Sequence, residues 1–200
     1  MNVNFFFLLF ISCSIKPDFT LPSLSKKSYT DLLNNHNSCT GKGIIDSRGE
    51  MKGKLYFSFK SQRDSTFLEF SDILGRKTLL MWVSPKKITV RDLINNTYYS
   101  YNQVVKFFPF LNVLDTQNIT EVVWGSVPDY KKSLKKYKKE MDRNIEIKFS
   151  RKHFPNEKYA LSALHYKDQK SGDAFKVNFK SRQRHDDYIN IKKLWKMLEF

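Results

Sequence analysis

The chain has 200 residues, 40% of them hydrophobic and 15% aromatic, and its 35 Lys and Arg against 20 Asp and Glu give a formal net charge of +15. Length and apolar content suit one domain with a real core, and the positive excess predicts attraction to polyanions, whether nucleic acid or an anionic lipid surface. Two cysteines, Cys13 and Cys39, exclude a disulfide-stapled scaffold, and His36, His153, His165 and His185 lack metal-ligand spacing, so neither cofactor nor enzymatic activity is expected.

Phe5 to Ile11 is an unbroken apolar run that ends at Ser12-Cys13. It is too short to cross a bilayer as a helix, which needs about 20 residues, but it fits the apolar region of a secretory signal. Phe10-Ile11-Ser12-Cys13 resembles the bacterial lipobox, which implies that residues 1–12 are a signal peptide and that Cys13 is the lipidated N-terminus. Residues 13–27 contain Pro17, Pro22 and several serines without apolar periodicity and read as a tether. Ser14 after the cysteine implies outer-membrane location, lipid-anchored and facing the periplasm.

Residues 28–200 form the folded domain. Ser28 or Ser25 can cap a short helix carrying Tyr29, Leu32 and Leu33 at helical spacing. Thr40 to Asp46 and Glu50 to Lys60 then read as strands, the second alternating strictly through Leu55, Phe57 and Phe59, with a turn at Asp46-Ser47-Arg48-Gly49.

The next stretch is unusual. Phe67, Leu68 and Phe70 precede, and Leu79 to Val83 follow, a turn of sequence Ser71-Asp72-Ile73-Leu74-Gly75-Arg76. Hairpin tips are normally polar, so Ile73 and Leu74 either fold back under the hairpin or stand exposed. Leu79, Met81 and Val83 share one face of the second strand while Leu80 and Trp82 share the other, so this sheet needs cover on both sides.

Ile88 to Leu93 and Thr97 to Tyr101 complete a six-stranded meander. Two short helices follow: Gln103 to Phe108, stopped by Pro109, and Asp115 to Trp124, closed by Gly125. Tyr130 to Met141 is dominated by lysines and offers only Leu134 and Tyr137 as hydrophobics, leaving helix and strand both open. Asn144 to Lys152, Lys158 to Tyr166 and Ala174 to Lys180 read as strands, and Tyr188 to Phe200 as a short helix packing on the sheet.

This order resembles the LolB family of outer-membrane lipoproteins and, more loosely, other members of the LolA/LolB half-barrel superfamily. The resemblance spans roughly Tyr29 to Phe179 and is carried by Asp72-Ile73-Leu74-Gly75, by Phe108-Pro109-Phe110-Leu111 and by Val123-Trp124-Gly125-Ser126-Val127-Pro128. Ile73 stands where the family's loop has proline, and Gly125 follows Trp124 directly.

The implied fold is mainly β within α+β: a curved antiparallel sheet forming a half-barrel, with an apolar concave face covered by short helices. The implied function is to bind acyl chains of lipoproteins or lipids and help insert them into the outer membrane, with a periplasmic carrier of LolA type as partner and the protein a monomer. Ile73 and Leu74 become the membrane-insertion loop. Leu55, Phe57, Leu68, Phe70, Leu79, Met81 and Val83 are candidates to line the cavity, and Lys131, Lys132, Lys135, Lys136, Lys138 and Lys139 to meet anionic headgroups. A same-fold lipoprotein with a structural envelope role remains the alternative. A basic nucleic-acid-binding module is disfavoured because the aromatics alternate inside strands, where a core would place them.

Overall fold

The computed structural model describes residues 28–49, 52–154 and 157–197. The signal, Cys13 and the tether lie outside these residues.

A first helix, α1 (Tyr29–Asn35), begins at a reciprocal cap in which Ser28 Oγ accepts the Asp31 N–H and the Asp31 carboxylate accepts the Ser28 N–H. Strands β1 (Ser38–Arg48), β2 (Gly53–Gln62), β3 (Ser65–Ser71), β4 (Lys77–Val83), β5 (Ile88–Asp92) and β6 (Thr97–Tyr99) form the meander. After the helical segments, β7 (Ile145–Phe154), β8 (Glu157–Asp168) and β9 (Ala174–His185) return. β9 pairs with β1, joining both halves into one nine-stranded sheet of order β6-β5-β4-β3-β2-β1-β9-β8-β7, antiparallel at every pairing. The sheet is curved and open, a half-barrel.

The sixth strand is shorter than its sequence suggests. Ser100 and Gln103 form a second reciprocal cap, which starts α2 (Tyr101–Phe107) at a residue expected to finish β6. Phe108 leads into a 3-10 turn over Pro109–Asn112. In α3 (Thr116–Trp124), Asp115 caps the start and Gly125, at φ +95°, takes the left-handed position at the end. The undecided lysine-rich segment is helix α4 (Lys131–Met141), with Leu134 and Tyr137 packed on the main core and Tyr130 donating to the Ile147 carbonyl at 3.1 Å.

The helices cover one face. Buried residues of β1–β5 and β7–β9 meet Val104, Phe108, Phe110, Leu111, Ile119, Val122 and Trp124 in the main core. Two arginines pin α3: Arg182 Nε and Nη2 donate to the Val123 and Val122 carbonyls while Nη1 donates to the Leu161 carbonyl, and Arg184 donates to the Trp124 carbonyl. These cations sit at the C-terminal carbonyls of α3, where the helix dipole favours positive charge. Trp124 Nε1 in turn donates to Ser61 Oγ at 2.8 Å, tying the helix to β2.

On the opposite face, an apolar cluster at β3 and β4 is covered by α5 (Ile191–Lys196). Phe67, Leu80, Trp82 and Leu194 form a second cluster, with Trp82 and Trp195 edge-on at 4.9 Å. Both faces of this hairpin are therefore buried.

Candidate functional site

Several turns converge on one end of the sheet. Ser71 pairs with Lys77, Leu79 with Asp92, Ser47 with Gly53 and Tyr56 with Ser71, so the β1–β2, β3–β4 and β5–β6 turns all leave the same edge. The β8–β9 turn lies there too, because Arg48 pairs with Ala174.

Ile73 and Leu74 are exposed, at 71% and 75%. Their turn is braced from within: the Asp72 carboxylate accepts the backbone N–H of Leu74 at 2.9 Å, that of Arg76 at 3.0 Å and Arg76 Nε at 2.7 Å. Desolvation opposes ionisation of Asp72, but the hydrogen bonds from Arg76 and Leu74 outweigh it and hold the carboxyl below its usual range. Gly75, at φ +80°, supplies the left-handed residue that the turn requires.

The β5–β6 turn repeats the device. Asp92 accepts the N–H groups of Ile94 at 2.8 Å and Asn95 at 3.0 Å, the Asn95 side-chain amide at 2.8 Å, and the Tyr99 hydroxyl. Burial disfavours its charge, yet these donors, Tyr99 foremost, pull its pKa down to about 2. Burial and Asp92 together push Tyr99 up to about 12. The side chain held at the tip is Ile94, 70% exposed.

Beside these tips opens a groove of about 280 Å³, lined among others by Lys52, Lys54, Leu55, Leu79, Ile94, Phe107, Phe108 and Phe175. A smaller cleft of about 180 Å³, between α2 and α4, reaches Phe175 from the other side. Deeper inside, Phe57, Leu68, Phe70 and Met81 face Phe108, Phe110, Leu111, Ile119 and Val122 across a gap of about 40 Å³.

That apolar gap is no larger than a water molecule or two, far short of the roughly 300 Å³ or more that a small-molecule pocket needs. The concave face is thus packed with its own side chains. Gly41 and Gly43 of β1 provide seats for the Phe59 and Phe57 rings, and a Cβ at Gly43 would meet the Phe57 ring at 2.3 Å. At the mouth, Phe108 lies 5.4 Å from Phe70 and Phe110 lies 6.4 Å from Phe175, ring centre to ring centre. These two rings fill the space between the outer groove and the inner gap.

All seven expected lining residues share the helix-covered face, as the pairings Phe57 with Phe70, Leu68 with Met81, Phe70 with Leu79 and Leu55 with Ile45 require. They do not share one space. Leu55 and Leu79 line the outer groove, Phe57, Leu68, Phe70 and Met81 the inner gap, and Val83 is sealed in the core. Lys131, Lys132, Lys135, Lys136 and Lys139 are exposed on α4 and Lys138 is half-buried; Lys136 lies 3.8 Å from Glu140.

Sequence reasoning missed Ile94 and the space-filling role of Phe108 and Phe110. A signal for Ile94 existed, since Asp92-Leu93-Ile94-Asn95 has the same acid, aliphatic pair and turn residue as Asp72-Ile73-Leu74-Gly75. A further cleft of about 530 Å³ is lined by Thr40, Lys42, Ser58, Lys60, Lys180 and Gln183 together with the Phe59 and Phe154 rings. Among the described residues, no cluster of three or more His, Cys, Asp or Glu could hold a metal, and no helix is long and apolar enough to cross a membrane.

No family model and no curated protein matches the sequence. Among solved structures, the chain is similar to a crystal structure provisionally assigned as an outer membrane lipoprotein-sorting protein domain from Vibrio parahaemolyticus. The TM-score is 0.36 and the identity 7%, over 82% of this chain and 92% of that one.

Proposed function

We propose that this domain takes up acyl chains of lipoproteins or lipids between its sheet and its helices and delivers them to the outer membrane, anchored there by a lipid on Cys13. The observation that carries this reading is the pair Ile73 and Leu74, held out on an internally braced turn at the sheet end where a largely apolar groove opens. A turn that spends an aspartate and an arginine on its own rigidity gains nothing for folding by exposing two large aliphatics. In a bilayer each would gain about 1.5–3 kcal/mol at full burial, enough to touch and still leave.

The chain enters at the groove and displaces Phe108 and Phe110. Its methylenes, worth roughly 0.8 kcal/mol each when buried, offset the loss of that aromatic packing. Arg182 and Arg184 hold the C-terminal end of α3 meanwhile, so opening is confined to α2 and the 3-10 turn. No bond is made or broken, and the protein is not an enzyme in this scheme. It receives cargo as a monomer from a periplasmic carrier of LolA type, and the lysines of α4 face anionic headgroups.

Titration of the full chain with a fluorescent fatty acid tests the reading. Saturable one-site binding, lost on competition with unlabelled fatty acid, is expected; linear, non-saturable uptake overturns it.

A further inference from the structure

We propose that Ile94 is a second membrane-contacting residue, which together with Ile73 and Leu74 gives the domain a two-point footing on an anionic bilayer and aims the groove at it. This rests on the acyl-transfer reading and adds a contact to it.

The two tips are built alike although their sequences differ. Each starts with an aspartate whose carboxylate gathers the amides of the following residues, Asp72 for Leu74 and Arg76, Asp92 for Ile94 and Asn95. The second is further secured on both sides. Leu93 N–H donates to the Thr78 carbonyl at 2.8 Å, and Arg91 donates to the Asn96 side chain at 2.6 Å and to the Met197 carbonyl at 3.3 Å. Leu93 turns inward against the second apolar cluster while its neighbour Ile94 stays 70% exposed. The turn could bury one aliphatic and does; the other is held out.

Position makes the two tips a pair. The β3–β4 and β5–β6 turns leave the same sheet edge, and their midlines are two strand spacings apart, about 10 Å. One apolar finger leaves a protein free to roll about its contact; two that far apart fix an axis. Ile94 also lines the 280 Å³ groove, so a bilayer touching Ile94 touches the groove mouth.

Charge identifies the surface. At this edge Arg48, Lys52, Lys54, Arg76 and Lys77 are exposed. Three of these cations face acids, Arg76 to Asp72 at 2.7 Å, Lys77 to Glu69 at 2.8 Å and Lys54 opposite Asp46 in the ladder, and Asp92 is buried inside its turn, which leaves Arg48 and Lys52 to face headgroups. Aliphatic tips ringed by outward cations fit anionic headgroups over hydrocarbon.

The test uses the mature chain, residues 13–200 carrying Cys13→Ala, so that neither the apolar signal nor a lipid anchor masks the contact, and co-sedimentation with vesicles of phosphatidylglycerol and phosphatidylcholine. Ile94→Glu and Leu74→Glu should each weaken binding roughly tenfold, the factor equivalent to about 1.4 kcal/mol, and the double variant more than either. Ile94→Leu should bind as the parent, and Tyr188→Glu, at the opposite end, should change little. Circular dichroism of each variant should match the parent, since Ile94 and Leu74 are exposed. If Leu74→Glu weakens binding and Ile94→Glu does not, the second contact is overturned and the transfer reading stands. If neither weakens it, or the parent does not bind, both fall.

Discussion

The Asp72 carboxylate accepts the backbone N–H of Arg76 at 3.0 Å and its Nε at 2.7 Å, closing a ring around the two most exposed large aliphatics among the described residues, Ile73 and Leu74. Removing that brace separates loop geometry from global stability. Asp72→Ala should move the melting temperature by no more than about 2 °C, as for other surface changes, while slowing delivery of an acyl probe to liposomes. Differential scanning calorimetry beside a transfer assay checks both halves.

The aromatic filling makes a cavity prediction. Phe110 is buried against Phe108 and Phe175, so Phe110→Ala should destabilise the domain by about 3–5 kcal/mol and enlarge the inner gap. In the acyl-carrier account the same variant binds fatty acid more tightly, because less packing is displaced on entry. Chemical denaturation and probe titration should therefore move in opposite directions.

Much of this architecture was legible in the residues. Period-two alternation through Leu55, Phe57 and Phe59 set the face of β2, and the misfit of Ile73 and Leu74 at a turn marked the loop. The filling of the concave face was not legible: it depends on Gly41 and Gly43 receiving the Phe59 and Phe57 rings, a contact fixed by the β1–β2 register and invisible in either strand alone. Arg182 reads as one more surface cation just past the expected end of its strand at Lys180, yet it lies within β9 and is 5% exposed, because the carbonyls of α3 and of Leu161 converge on it. The lysine-rich α4 could not be assigned because two hydrophobics fit more than one period. Leu134 and Tyr137, packed on the main core, and Tyr130, 5.1 Å from Phe149, show which side faces the sheet.

Those buried contacts give stability predictions. Gly43→Ala places a methyl group 2.3 Å from the Phe57 ring and 2.5 Å from the Asn178 carbonyl oxygen, and should cost about 1–3 kcal/mol by overpacking. Arg182→Met removes the donor to three buried carbonyls and should cost about 2–4 kcal/mol. Urea midpoints measured at unchanged slope check both.

Acidity offers an independent handle on the second tip. Asp92 titrates at about 2 in the folded chain, below its ordinary value near 3.8, so its contribution to stability is full above about pH 4 and is lost as pH falls towards 2. Asp92→Asn should flatten that part of the stability curve. Stability profiles of parent and variant between pH 2 and 5 provide the comparison, and parallel curves would contradict the assignment.

The most direct measurement of the central claim is transfer itself: the full chain is loaded with a fluorescent acyl probe and mixed with liposomes, and the rate of probe transfer is compared for the parent and Leu74→Glu. Loading is expected to be equal and the transfer rate at least tenfold lower for the variant; equal loading with equal transfer would rule out delivery through this tip.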